Sequence, residues 1–117
     1  MIKRDEKKKC ACEGGTLTRF IQPVILSILS KESMTGYKLI QDMLNYSIFE
    51  NDPPDQAGVY RYIKIMINRG YIEQVPSKTG GENNILSLTP AGIKCLNNWR
   101  KTLDHYYNDL ALLLKQL

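Results

Sequence analysis

Three rhythms of apolar and polar positions run along this chain, and each predicts a different element. Between Thr16 and Ser30, Leu17, Phe20, Ile21, Val24, Ile25, Ile28 and Leu29 recur at helical spacing, which predicts a core helix with Pro23 tolerable near its start. A second helix is expected from Thr35, a natural cap, to about Tyr46, turning Tyr37, Ile40, Met43 and Leu44 toward the core. Ser47 to Pro54, with Ile48 and Phe49, reads as the connecting turn. In the third helix Val59, Ile63, Met66, Ile67 and Gly70 fall on one side, with Tyr62 at its edge, and Ala57, Arg61, Lys64 and Asn68 lie opposite. Asp55 supplies a capping carboxylate and Gly70 a residue able to end the helix left-handed. Ile65 is apolar on the polar side and does not fit this pattern.

The rhythm then changes. Tyr71 to Val75 and Ile85 to Leu88 are short β-leaning runs separated by the turn formers of Pro76 to Asn84, which predicts a hairpin, and Thr89-Pro90 opens another helix. Short helix, hairpin and helix in this order outline a winged helix-turn-helix. In the last helix Leu96, Trp99, Leu103, Tyr106, Leu110, Leu113 and Leu117 alternate spacings of three and four, a heptad seam that predicts a homodimer interface. Tyr107 and Leu114 widen the stripe, so the helix is expected to pack on its own domain as well as on a partner. The fold class is therefore mainly α with a small β-hairpin: a leader over 1–15, a winged-helix domain over 16–90 and a dimerisation helix over 91–117.

Composition changes this picture only in part. At 117 residues and 43% hydrophobic, the chain can bury one modest core. Its formal charge of +4 suits a nucleic-acid partner, but five basic and two acidic residues lie in Met1 to Lys9, leaving a surplus of one elsewhere. That arm reads as a solvated leader, with phosphate contact as the alternative. The apolar stretch from Pro23 to Leu29 falls well short of the roughly 20 residues a membrane span requires, so a cytoplasmic protein is expected.

The candidate DNA-binding residues follow from the layout. Arg61 and Lys64 can reach groove or backbone from the third helix, with Gln56 and Tyr60 beside them, and small Ala57 and Gly58 allow its N-terminus to approach a phosphate. Thr35, Tyr37 and Lys38 belong to the second helix, Lys38 being free to point at a phosphate, and Lys78, Asn83 and Asn84 to the wing, where Glu82 opposes such contact. For each, a solvated surface is the competing reading. Double-stranded DNA with a near-palindromic operator is the partner that a dimer implies, because paired recognition helices read half-sites ~34 Å apart.

Three motifs in register resemble the PadR-like transcriptional regulators of bacteria and archaea. They are Thr35-Gly36-Tyr37, the run from Gly58-Val59-Tyr60-Arg61 through Asn68-Arg69-Gly70-Tyr71-Ile72, and Leu88-Thr89-Pro90-Ala91-Gly92, and the likeness extends from about Phe20 to the C-terminus. The resemblance implies a dimeric, ligand-responsive repressor with Tyr37, Tyr60, Arg61 and Lys64 at the DNA surface. It also implies an effector pocket for a small flat aromatic compound at Trp99 and Tyr106. The wing departs from the pattern: Asn83-Asn84-Ile85-Leu86 stands where such wings often carry a basic residue and a tyrosine.

The residues also bear on other function classes. Cys10 and Cys12, with Cys95 remote, could form a thiol switch or bind a soft metal, yet the chain has one histidine, His105, and zinc sites usually need four ligands. Reduced thiols in a leader suffice to explain them. A phosphate loop, a ligand cluster and a nucleophile with a base are all missing from the pattern, so neither an enzyme nor a cofactor is expected. A winged helix serving only protein interaction is the remaining alternative.

Overall fold

In the computed structural model, which describes residues 20–76 and 84–117, the elements follow in the order α1 (Ile21–Lys31), β1 (Met34–Thr35), α2 (Gly36–Met43), α3 (Gln56–Asn68), β2 (Ile72–Pro76), β3 (Asn84–Leu88) and α4 (Pro90–Gln116). The central helix is α1. Besides Ile21, Val24, Ile25, Ile28 and Leu29 of the expected stripe it buries Leu26 completely, so it is apolar on nearly all sides and the other elements pack around it. Phe20 is its half-buried N-cap, and Leu17 lies outside the described residues. Pro23 falls in the first turn, where a missing N–H leaves no helical bond unmade.

At the start of α2 the Thr35 hydroxyl accepts the Lys38 N–H at 3.2 Å. Its buried face is Leu39, Ile40 and Met43, which corrects the expected one: Tyr37 is 62% exposed and Leu44 46% exposed. At about 100° per residue both stand roughly a quarter turn or more from the centre of the face that Leu39, Ile40 and Met43 share. The helix also stops at Met43, three residues early, where a Tyr46 N–H bond to the Met43 carbonyl turns the chain. A 3-10 turn at Ser47–Phe49 follows and drops Phe49 into the core at 2% exposure, giving the expected connector a packing role.

Asp55 caps α3 by accepting the Gly58 N–H at 2.8 Å, and Val59, Ile63 and Met66 are buried. Ile67 reaches only half-burial. The helix ends in a Schellman motif: Gly70 has φ of 82°, its N–H bonds the Ile67 carbonyl, and the Tyr71 N–H bonds the Met66 carbonyl. Only glycine takes that φ without strain.

The hairpin is a three-stranded sheet of order β1-β3-β2, all antiparallel. Met34 pairs with Leu86, and Ile72 with Leu88, and the buried side chains of Met34, Leu86 and Ile72 face the helices. The two residues of β1 are too few to carry a periodic signal, which is why sequence predicted two strands. The ladder runs one rung further than expected at each end of the tip, to Pro76 opposite Asn84.

Thr89 joins the wing to α4. Its hydroxyl donates to the Gly70 carbonyl at 2.6 Å and accepts the Gly92 N–H at 3.0 Å, with Pro90 in the first turn. Leu96 is buried against the domain, Trp99 and Leu103 are half-buried, and from residue 104 onward every position of α4 is exposed.

Candidate nucleic-acid interface

The outward face of α3 is formed because its other face is committed to the core. Burial of Val59, Ile63 and Met66 fixes the rotation of the helix, and Ala57, Arg61, Lys64, Ile65 and Asn68 are left in solvent. Gln56 is exposed at the first position. Tyr60 sits at the boundary, 45% exposed, with its ring 3.0 Å from where a Cβ on Gly36 would stand. That contact brings the N-terminus of α2 to the side of α3. Thr35, half-buried, and Tyr37, exposed, are the chain neighbours of Gly36 at this contact.

A cavity of 530 Å³ opens between α3 and β2, lined by Tyr60, Arg61, Ile63, Lys64, Asn68 and Gln74 among others. Two of its neighbours escaped sequence reading. Gln74 shares the face of Ile72 on β2, a position that strand alternation could have indicated once β2 was paired with α3. Arg69, the exposed C-cap of α3, adds a cation just beyond Asn68.

Other candidates fare differently. Lys38 is not free: its ammonium pairs with the Asp42 carboxylate at 3.3 Å, one turn along α2. Both side chains are accessible, so solvent screens this pair and a phosphate could compete for the lysine. Asn84 is half-buried at the last rung of the ladder. Lys78 and Asn83 lie outside the described residues, as do Cys10 and Cys12.

A second concavity lies between α1 and α4. It has a volume of 440 Å³ and is lined by Val24, Tyr46, Trp99, Leu103, Tyr106 and Leu110 among others, so Trp99 and Tyr106 do share one groove. Trp99 is held there by its indole N–H, which donates to the Gln22 side-chain oxygen at 3.2 Å. Cys95 lies half-buried on the same helix; burial pushes its thiol above the usual range, against the smaller opposing effects of a Tyr71 hydrogen bond and the Arg69 charge. Among the described residues no three His, Cys, Asp or Glu side chains come together as a metal site, and no helix is long and apolar enough to cross a membrane.

No protein-family model and no curated protein matches the sequence. Solved structures do. A candidate transcriptional regulator from Thermoplasma acidophilum superposes with a TM-score of 0.68 at 25% identity, covering 86% of this chain and 96% of its own. The PadR-like transcriptional regulator of Bacillus cereus gives 0.71 at 20% identity over 84% and 94% of the two chains. A PadR family transcription regulator from Clostridium difficile gives 0.67 at 19% identity over 81% and 98%. The protein is thus a winged helix. Within that class it has the architecture of the PadR-like transcriptional regulators, as its three motifs indicated.

Proposed function

We propose that this chain is a sequence-specific, DNA-binding transcriptional regulator, acting as a homodimeric, ligand-responsive repressor without catalytic activity. The observation that carries the reading is the α3 face. Arg61 and Lys64 are held in solvent by a helix whose rotation the core dictates, with the exposed rings of Tyr37 and Tyr60 alongside. A rigid helix with outward cations and an adjacent wing suits the major groove, with tyrosine hydroxyls and the α2 N-terminus at the phosphates. The regulators that share this architecture support the same function.

Dimerisation is assigned to α4, where Leu110, Leu113 and Leu117 extend the seam into solvent. Two copies joined there present paired α3 helices to a near-palindromic operator. Trp99, steadied by Gln22, and Tyr106 offer a flat aromatic effector a stacking surface between the two copies. A ligand that prefers one dimer geometry resets the spacing of the α3 pair and with it the affinity for the operator.

Fluorescence anisotropy on duplexes selected from a random pool tests this. The wild type is expected to enrich a near-palindrome and to bind it with a steep salt dependence. Arg61→Ala should weaken binding by roughly tenfold or more and Lys64→Ala by less, both with unchanged sedimentation. Unaltered operator affinity in both variants sinks the α3 assignment.

A further inference from the structure

One side chain of α3 is explained by neither packing nor charge. Ile65 is 41% exposed and lies outside the core cluster, while every other large aliphatic side chain of the helix is buried or half-buried. Arg61 stands one turn before it, Arg69 one turn after it, and Asn68 beside it, all exposed. A branched hydrocarbon ringed by cations fits a partner surface that is anionic overall and apolar at one point. The DNA major groove is such a surface: phosphates line both rims, and the thymine C5-methyl is the apolar group on its floor.

We propose, resting on the DNA-binding reading above, that Ile65 contacts a thymine methyl group and is a specificity-determining residue of α3. Ala57, Arg61 and Ile65 form one row along the outward face, each four residues from the next. Eight residues advance about 12 Å along a helix, the span of three to four base pairs at about 3.4 Å each. Arg61, midway, is placed for the paired acceptors of guanine, and Ile65 reads the thymine toward the C-terminal end of the helix.

Uracil substitution separates this contact from the rest. Within the duplex selected by the wild type, each thymine is replaced singly by uracil, which deletes a methyl group and preserves every hydrogen bond. At one base pair per half-site the wild type should bind about fourfold more weakly to uracil, the value for one methyl group removed from water. Ile65→Ala, an exposed change that favours the helix, should bind thymine and uracil duplexes equally at that position. Lys64→Ala should lower affinity for both duplexes and keep their ratio. The assignment is overturned if Ile65→Ala keeps the wild-type ratio, or if the wild type is indifferent to every uracil while still selecting a duplex. A wild type that selects no duplex overturns the DNA-binding reading and this assignment together.

Discussion

At the scale of single residues, the motif Leu88-Thr89-Pro90-Ala91-Gly92 turns out to be structural. Gly92 lies so close to the backbone just before β2 that a Cβ would fall on the Tyr71 carbonyl oxygen and come within 2.7 Å of Leu88 Cδ1 at the end of β3. That carbonyl is tied down, because it accepts the Thr89 N–H at 3.1 Å. Gly92→Ala is therefore expected to destabilise the domain by about 1–3 kcal/mol or more through overpacking, read as a lower urea midpoint at unchanged slope. An unaltered midpoint would mean that the backbone at Tyr71 can yield there. The residues that sequence misplaced, Tyr37 and Leu44, are the same kind of case: hydrophobicity named them as core, but the rotation of α2 about Leu39 left them outside. For Tyr37 that exposure is what the proposed DNA contact requires.

At the scale of elements, α4 divides in two. Its first turns complete the core through Leu96 and hold Trp99 against α1, whereas Leu110 and Leu113 are 53% and 47% exposed. The heptad spacing runs through both halves unchanged, so periodicity does not reveal where packing on the domain ends. Leu110→Asp with Leu113→Asp should leave a monomer by sedimentation while the amides of α1 and α3 keep their protection from hydrogen exchange. Each leucine contributes about 1.5–3 kcal/mol when fully buried, so the dimer dissociation constant should rise roughly a thousandfold or more. A double variant that sediments as a dimer would place the interface elsewhere. The sheet gives the converse lesson: β1, two residues long, exists only because Met34 and Thr35 meet Leu86 and Ile85 across the fold.

At the scale of the molecule, the 27 residues of α4 extend it to 55 Å in its longest dimension against 27 Å in its shortest, and the exposed stripe lies on the projecting part. An assembly that buries this stripe binds the folded state and not the unfolded one, so the thermal midpoint should rise with protein concentration. A midpoint constant over a hundredfold concentration range argues for a monomer. The helices, the hairpin strands, the caps at Thr35 and Asp55, the helix start at Thr89-Pro90 and the left-handed Gly70 are legible in the sequence, because each follows from local periodicity or from the conformational range of one residue. So is the outward turn of Arg61 and Lys64 on α3, since one buried face implies the opposite one. The rotation of α2, the burial of Phe49, the third strand and the joining of Gln74 to the α3 face arise from packing across the fold. Those depend on which surfaces meet, and contacts between distant segments leave no periodic trace in either segment alone.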